Sequence, residues 1–365
     1  MVWVLGLFGI VWITYAVFLV WVSRWRPQPY PSFAPRPTIA VLIPSRNEAA
    51  NLPACLHSLL RQEWPPDEIW VIDDHSEDET LAIAHEYAQK YPHIRVLSLP
   101  PAQQGKKAAL AYGIAHTQAD IIVTTDADTI HPPDSLGKLV APFGQAAVQV
   151  TGGWIRLCPE ASFLNVLQRI EMAGVLQLTA GSWQRGYPLT ANGALLAYRR
   201  AAFEAVGGWG QAHAHPSGDD DLLVQRICVR YGPKALAFTE ATVETRAAST
   251  WQAFLQQRRR WLSKRHLYPM PYTRAALAII GLGQGLIPLG LWIAPQLTLG
   301  MWTLLFFLQS WIALRGFRNA KAPPPAVPLW VLVGVVFPFY TLIVAFLARC
   351  YPNFRWKGRV HTVFK

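Results

Sequence analysis

The sequence predicts an α/β domain, built on a mostly parallel sheet with helices on both faces, together with transmembrane helices. Two observations lead to this prediction. Strand and helix patterns alternate from residue 38 to residue 125, as in parallel strands joined by crossover helices. Long uncharged segments lie near both ends of the chain. We therefore expect one α/β domain between two hydrophobic regions.

Composition supports a membrane setting. The 365 residues carry a net charge of +11, and 52% of them are hydrophobic while only 15% are charged. Such a chain is too apolar for an ordinary soluble protein and too long for one compact domain. The basic residues flank the hydrophobic segments, so we interpret them as contacts with membrane lipids and exclude nucleic acid as a partner.

Residues 1–23 are predicted to form an N-terminal transmembrane anchor. Val2–Val22 contains no charged residue, and as a helix it would be roughly 30 Å long, enough to cross the hydrocarbon core. The alternative is a cleaved signal peptide, but no basic segment precedes the stretch and no Ala-x-Ala site follows it. Arg24, Arg26 and Arg36 follow the anchor, so the positive-inside rule predicts a cytoplasmic location for the next domain, at the inner membrane.

Residues 275–349 are predicted to form about three C-terminal transmembrane helices. Basic residues occur both in the loop after the second segment and in the basic tail, 350–365, and a single crossing cannot place both in the cytoplasm. Either the last segment turns back at Pro338, or one basic segment lies outside; three crossings are the preferred interpretation. The predicted segments are Ala275–Pro295, Gln296–Leu314 and Val327–Ala348.

Residues 38–250 are predicted to form the α/β domain. Asn51 is a candidate cap for the first helix, and Ser76 and Glu79 have capping-box spacing before the second. The chain contains no P-loop and no Gly-x-Gly-x-x-Gly motif, so phosphate binding must depend on another feature. The predicted strands are Thr38–Ile43, Glu68–Ile72, Ile94–Leu97 and Asp120–Thr125, and the predicted helices span residues 51–62, 76–90 and 106–116.

Two acidic clusters are the candidate chemical site. Asp126-Ala127-Asp128 follows an apolar strand, and Asp219-Asp220-Asp221 precedes a helical pattern. Carboxylates at the carboxyl ends of buried strands are where open α/β sheets bind ligands. In an extended segment, Asp126 and Asp128 would project to the same face. Such a pair suits Mg²⁺ or Mn²⁺, which takes its remaining ligands from substrate phosphates and water. The clusters therefore indicate an enzyme acting on a diphosphate-activated substrate.

Eight short motifs, in order, carry a family resemblance. The motifs are Pro44-Ser45-Arg46-Asn47-Glu48, Asp73-Asp74-His75-Ser76, Gly105-Lys106, Asp126-Ala127-Asp128, Asn192-Gly193-Ala194, Gly207-Gly208, Gly218-Asp219-Asp220-Asp221 and Gln257-Arg258-Arg259-Arg260-Trp261. Through them, between about Thr38 and Arg265, the chain resembles a membrane-bound family 2 glycosyltransferase of the GT-A fold, in the branch that includes cellulose, hyaluronan and poly-N-acetylglucosamine synthases and ceramide glucosyltransferase.

The resemblance implies a set of donor-binding residues. It predicts a nucleotide-sugar donor whose nucleoside is held near the first two motifs, with Lys106 close to the donor. It also implies that Asp126 contacts the nucleotide and that Asp128 binds the metal ion bridging the diphosphate. The alternatives are helix capping and turn formation in the first two motifs, and a surface role for Lys106. The implied nucleotide-binding residues are Pro44, Arg46, Glu48, Asp74, Lys106 and Asp126.

The second acidic cluster matches the catalytic motif of the family. Asp220 matches the general base, which takes a proton from the acceptor hydroxyl during an inverting transfer and contributes about 10²–10⁴ in rate. The chain departs from the family pattern because Asp219 stands where Glu is usual and Asp221 adds a third carboxylate. The base is therefore assigned to within one position, and capping of the following helix is compatible with this role.

Residues 251–270 are predicted to form an amphipathic helix at the membrane interface, carrying the Gln-x-x-Arg-Trp signature. In the family, the residues matching Gln257, Arg260 and Trp261 close over the donor diphosphate and the acceptor, and Arg260 would assist the leaving diphosphate. The alternative is a purely interfacial helix whose arginines bind lipid. The two roles are compatible on opposite faces of one helix.

The predicted function is metal-dependent, inverting transfer of a sugar from a nucleoside diphosphate to a lipid or lipid-linked acceptor. The resemblance implies UDP as the nucleotide, because it is the one that the family commonly uses. A processive polysaccharide synthase is the alternative within the family, but it needs a channel that few transmembrane helices provide. A non-catalytic scaffold or transporter with a relic domain is the rival from another class. Against it, every carboxylate that the reaction needs is present. Protein partners are not predicted.

Overall fold

The computed structural model describes residues 2–30, 36–351, 353–356 and 359–362. Lys357 and Lys365 of the predicted basic tail lie outside these residues. The chain divides into two compact units. We call residues 27–158 and 190–246 the sheet unit, and residues 1–26, 159–189 and 247–365 the helical unit.

The sheet unit is built on one seven-stranded sheet in the order β3-β2-β1-β4-β6-β5-β7. Strands β1 to β4 are parallel, and only β6 runs antiparallel to its neighbours, β4 and β5. The predicted mostly parallel sheet is thereby confirmed. The strands are β1 Ile39–Ser45, β2 Glu68–Asp73, β3 Ile94–Ser98, β4 Ile121–Thr124, β5 Val150–Leu157, β6 Leu196–Arg199 and β7 Leu236–Thr245.

The central strands form the core because they are apolar on both faces. Residues 39–43 of β1 and 121–123 of β4 are completely buried, as expected where helices cover both sides of a parallel sheet. This explains why these strands read as continuous apolar runs rather than alternating patterns. The helices of this unit are α2 Leu52–Leu60, α3 Thr80–Lys90, α4 Lys106–His116, α5 Ser135–Val140, α7 Arg200–Ala205 and α8 Asp221–Tyr231.

Two capping predictions were wrong. Asn51 precedes α2 but makes no side-chain capping hydrogen bond, and its amide donates to the carboxylate of Glu48 instead. Ser76 lies four residues before the start of α3, and its hydroxyl accepts a hydrogen bond from the backbone N–H of Asn47. Ser76 therefore connects two loops at the carboxyl edge of the sheet, and Asn51 forms a bond within its own loop.

Among the residues that the structure describes, three helices of the helical unit are long and apolar enough to cross a membrane, namely α10, α11 and α12. α1 adds 21 residues whose inner face is buried, with Trp12, Tyr15 and Leu19 packed against Ile287 and Leu305. The helices are α1 Val2–Val22, α6 Phe163–Gln184, α9 Trp251–Ser263, α10 Pro271–Ile293, α11 Pro295–Asn319 and α12 Val327–Cys350.

Three features of the helical unit add to or change the sequence interpretation. α6, which the predicted 38–250 domain included, packs with the apolar helices, and its Ala173 backbone lies against Gly316 of α11. α12 runs unbroken through Pro338, so this segment does not turn back. The tail forms a short antiparallel hairpin, β8 Asn353–Trp356 with β9 Arg359–Thr362.

Candidate active site

The two acidic clusters meet at one lysine. The Nζ atom of Lys106 lies 2.6 Å from Oδ1 of Asp126 and 3.0 Å from Oδ2 of Asp219. These three residues come from the start of α4, the turn after β4 and the loop before α8. Carboxylates about ninety residues apart in the sequence are thus joined by one ammonium group.

The first cluster lies in a turn rather than in an extended segment. The backbone N–H of Thr129 donates to the carbonyl of Asp126 at 3.1 Å, which closes the chain directly after β4. The expectation that strand alternation puts Asp126 and Asp128 on the same face is therefore wrong. The turn lies at the carboxyl end of a buried central strand, β4.

Gly193 holds the second cluster in place. Its N–H donates to Oδ2 of Asp220 at 3.2 Å, and its carbonyl accepts from the hydroxyl of Thr124 at 3.0 Å. A Cβ atom at this position would lie 2.7 Å from the carboxylate of Asp219 and 3.0 Å from Nζ of Lys106. Only glycine lets the backbone approach both groups.

The site carries more negative than positive charge. Burial opposes the ammonium charge of Lys106, but the carboxylates of Asp126, Asp219 and Asp220 outweigh it and raise the pKa of Lys106 above its ordinary value. The side chain of Asp219 is only 10% exposed, so its pairing with Lys106 is shielded from water. Lys106 therefore stays charged at any working pH.

The chemistry of the turn after β4 fits a hard divalent cation. Burial, followed by the charges of Asp128, Asp126 and Glu48, raises the pKa of the Cys55 thiol, which indicates that the three carboxylates surround one region. Among the described residues no group of three or more metal-ligating side chains occurs. Two carboxylates with few further protein ligands are what Mg²⁺ or Mn²⁺ requires when a diphosphate and water complete its coordination.

A second group of loops adjoins Asp74 at the ends of β1 and β2. Oδ2 of Asp74 accepts from the N–H of Gly105 at 2.9 Å, and Gly105 has the positive φ of 93° that leads into α4. Asn47 also has a positive φ, and its side-chain oxygen accepts from the N–H of Glu77 at 2.8 Å. These bonds connect three loops at the carboxyl edge of the sheet, where α/β proteins bind nucleotides.

Comparison with known proteins identifies the sheet unit. Residues 40–207 match the family described as glycosyl transferase family 2. The chain is 30% identical over 262 residues to a beta-monoglucosyldiacylglycerol synthase from Synechocystis sp.. The matched region covers 67% of this chain and 51% of that protein. The chain belongs to the family 2 glycosyltransferases.

Two further similarities describe how far this glycosyltransferase resembles its relatives. A probable glycosyltransferase, YdaM, from Bacillus subtilis is 27% identical over 251 residues, 66% of this chain and 57% of that one. A hyaluronan synthase from Streptococcus pyogenes is 29% identical over 159 residues, 40% of this chain and 36% of that one. The chain spans about half the length of the first two relatives.

The fold of the glycosyltransferase is GT-A. The structure of the mannosyltransferase PcManGT from Pyrobaculum calidifontis, solved with GDP-Man and Mn²⁺, has a TM-score of 0.60 at 20% identity and covers 94% of this chain and 95% of that one. At this level of identity the similarity establishes the fold alone.

The remaining predicted donor residues of the glycosyltransferase lie near Asp74, with different surroundings. Pro44 is in central strand β1, paired with Ile72 of β2. Glu48 is buried and accepts from the amide of Asn51 at 2.8 Å. Arg46 donates to the carbonyls of Asp74 and His75, at 2.8 and 2.7 Å. Through these contacts Arg46 stabilises the loop after β2. A contact between Arg46 and the nucleotide stays a prediction.

The Gln-x-x-Arg-Trp signature lies in the helical unit, on α9. Arg258 of this helix is buried, and its Nε lies 3.1 and 3.2 Å from the two carboxylate oxygens of Glu171. Phe254 is also buried, against α6 and α12. The roles of Gln257, Arg260 and Trp261 stay predictions.

Sequence reasoning missed Lys107, the neighbour of Lys106. Its buried ammonium group donates to the backbone carbonyls of Ala212, His215 and Ser217 at 2.6, 3.0 and 2.8 Å. The indole of Trp209 adds a bond to the carbonyl of Asp219 at 2.8 Å. Together they fix the loop before α8, and no sequence pattern could signal bonds to backbone carbonyls a hundred residues away.

Proposed function

We propose that the protein is a metal-dependent, inverting glycosyltransferase that moves a sugar from a nucleoside diphosphate, with UDP as the favoured nucleotide, to a lipid or lipid-linked acceptor. The observation that supports this most directly is the meeting of Asp126 and Asp219 at Lys106. It brings a candidate diphosphate–metal site and a candidate base to one place. Loops around Asp74 would hold the nucleoside, because they lie at the same edge of the sheet.

Asp220 is the best candidate for the base among the three carboxylates. Asp221 is only 1% exposed, and Asp219 is paired with Lys106. Asp220 is partly exposed, and its two oxygens accept backbone bonds from Asp221 and Gly193 at 2.7 and 3.2 Å. These bonds orient the carboxylate at a partly exposed position. A base that contacts the acceptor must be both accessible and oriented.

Asp126 and Asp128 would hold the cation. When bound, Mg²⁺ or Mn²⁺ would offset the charge of the diphosphate leaving group. Lys106 would also offset the charge of the leaving diphosphate, because its ammonium group is held in place by Asp126 and Asp219 and stays protonated. The mannosyltransferase of similar fold was solved with Mn²⁺, which is consistent with this assignment.

A lipid acceptor is favoured by two observations. Three helices are apolar enough to cross a membrane, and one relative is named as a glucosyldiacylglycerol synthase. We accordingly propose a multi-pass protein of the inner membrane with a cytoplasmic sheet unit. The hyaluronan synthase relative keeps a processive synthase as the second candidate. The length of the labelled product distinguishes the two, because single transfer adds one sugar and a synthase adds many.

The test is transfer of labelled sugar from a panel of nucleotide sugars, with Mn²⁺ or Mg²⁺, by the full chain in lipid nanodiscs. We expect Asp220→Asn to lower kcat by about 10²–10⁴ while donor binding persists. Asp128→Ala is expected to abolish both transfer and the metal-dependent thermal stabilisation by nucleotide. Asp134→Asn, an exposed carboxylate paired with Lys138, is the control.

Two outcomes would contradict the proposal. Full transfer by both Asp128→Ala and Asp220→Asn would remove these residues from the reaction. Absence of any metal-dependent transfer or hydrolysis with every donor, in a folded wild-type protein, would favour the non-catalytic scaffold.

A further inference from the structure

Five arginines gather where three helices of the helical unit end. Arg24 and Arg26 follow α1, Arg185 follows α6, and Arg315 and Arg318 lie in the last turns of α11. We call these residues the arginine cluster. They come from three regions of the sequence, so no local pattern indicates that they are neighbours.

Hydrogen bonds tie these helix ends together. Arg185 donates to the carbonyl of Arg24 at 2.7 Å, and Arg315 donates to the carbonyl of Trp25 at 3.3 Å. The side chain of Gln184 both accepts from the N–H and donates to the carbonyl of Arg26, at 3.0 and 2.9 Å. The cluster is therefore a built feature of the unit and not a chance meeting of surface side chains.

The positive charges of the cluster are not neutralised. In the described part of the chain none of the five forms an ion pair with an acidic side chain. The charges of Arg318, Arg26 and Arg24 act on Arg315, whose buried Nε has no hydrogen-bond partner among the described residues. Bonds to carbonyls satisfy N–H groups of Arg185 and Arg315 but leave their charge in place.

The helical unit as a whole has almost no acidic residue to offer. It contains 18 Lys and Arg but only Glu160 and Glu171, and Glu171 is paired with Arg258. Like charges held close together are unfavourable unless an anion joins them. The cluster therefore requires an anionic partner from outside the unit.

Aromatic side chains surround the cluster as they do at a membrane surface. Arg185 lies over the ring of Trp21 at 5.4 Å, and Arg315 lies over Trp311 at 5.0 Å. Tyr187 contacts Trp21. Trp and Tyr are concentrated where lipid headgroups meet the hydrocarbon core, and arginine clusters there bind anionic headgroups.

We propose that the arginine cluster binds the phosphate headgroup of anionic membrane lipids. The phosphate of a soluble anion would satisfy the same charges, but the cluster lies at the ends of apolar helices and beside interfacial aromatic residues, which favours the lipid. Binding of these headgroups would place the basic ends of α1 and α11 on the same side of the membrane, at the anionic leaflet. This inference does not depend on the proposed transfer reaction.

The experiment uses the detergent-solubilised full chain and native mass spectrometry to count bound lipids. The probes are phosphatidylglycerol, phosphatidylcholine of the same chain length, and inorganic phosphate as a competitor. The variant is Arg26→Gln with Arg318→Gln, because both side chains are exposed and neither holds the helix ends through a hydrogen bond that the structure describes. The control is Arg230→Gln with Arg349→Gln, which removes the same charge from exposed sites elsewhere.

We expect the variant to bind phosphatidylglycerol about 25-fold more weakly, from about fivefold for each arginine. Phosphatidylcholine binding is expected to be unchanged, and the control variant is expected to match wild type. Equal loss in both variants would overturn the site in favour of overall charge. Displacement of phosphatidylglycerol by millimolar inorganic phosphate would overturn the assignment to a lipid, and so would equal binding of the two lipids by the wild-type protein.

Discussion

The helical unit and the sheet unit carry opposite net charges. The helical unit has 18 Lys and Arg against two Asp and Glu, a formal charge of +16, and the sheet unit has 15 against 20, a charge of −5. The overall value of +11 conceals this division. The sign of each unit agrees with its proposed partner, anionic lipid for the helical unit and a divalent cation for the sheet unit.

Each unit also contains a cation paired with carboxylate groups, in contrasting surroundings. Lys106 in the sheet unit is bonded by Asp126 and Asp219, with Asp220 nearby, so negative charge is in excess. Arg258 in the helical unit has the single carboxylate of Glu171 and the hydroxyl of Tyr340, at 3.2 Å from Nε. The rings of Phe254 and Trp261 each lie 4.3 Å from its guanidinium carbon.

This difference separates a binding site from an architectural contact. A cation whose charge is neutralised by one carboxylate, and which is enclosed by aromatic rings, has no net charge with which to attract a ligand. A cluster with a surplus of one sign is unfavourable until an opposite charge arrives, so it indicates where ligands bind. We expect the two sites to respond differently when a charge is removed.

The largest effect is expected in the helical unit. Glu171→Gln leaves Arg258 buried without a counter-charge and should lower the free energy of unfolding by about 3–5 kcal/mol. Glu171→Gln combined with Arg258→Met should recover much of this loss, because neither charge then remains buried. Urea unfolding of the full chain in detergent measures both. A single variant as stable as wild type would contradict the architectural interpretation.

The sheet unit should lose activity rather than stability. Lys106→Met removes the cation from an acidic cluster, and we expect kcat/KM for the sugar nucleotide to fall by about 10²–10³, as for other preorganised electrostatic groups. The unfolding free energy should change less than in Glu171→Gln. Transfer assays and urea unfolding on the same preparation compare the two. Lys138→Met, from the exposed pair with Asp134, is the matched control.

A smaller change tests the geometry of the site without altering its charge. Gly193→Ala would place a methyl group within contact distance of Asp219 and Lys106, and overpacking of this kind costs about 1–3 kcal/mol. We expect about tenfold lower transfer activity with the fold retained. Gly137→Ala, where the new atom would meet Trp64 at an ordinary 3.5 Å, should behave as wild type. Unchanged activity in Gly193→Ala would show that the positions of Asp219 and Lys106 do not matter.

A further prediction concerns a buried group that is uncharged. Burial lowers the pKa of His131 from 6.5 to about 3. The folded protein therefore binds this proton less readily than the unfolded chain. Its contribution to stability is complete above about pH 6.5 and is lost as the pH falls towards 3, by about 1.4 kcal/mol per pH unit.

The pH dependence of urea unfolding between pH 7 and 5 measures this contribution. His131→Gln should reduce the slope, while His213→Gln, at an exposed site, should leave it unchanged. Equal slopes in wild type and His131→Gln would contradict the assignment. The comparison applies only to variants that remain folded at pH 7.

Local sequence patterns determined much of the fold. The apolar runs at β1, β2 and β4 predicted buried parallel strands, and α4 was predicted with the bounds that the structure has. These predictions succeeded because strand burial and helix periodicity depend on residues close together in the chain. The same holds for the three C-terminal apolar helices, which differ from their predicted bounds by a few residues at most ends.

The tertiary structure decided which charged groups meet. The sequence by itself determined that Asp126 and Asp219 belong to acidic motifs of a family 2 glycosyltransferase. That both contact Lys106, that Glu171 balances Arg258, and that Arg24 and Arg315 share one cluster required the fold. The physical reason is that charge pairing depends on distance in space, and these partners are 20 to nearly 300 residues apart in the chain.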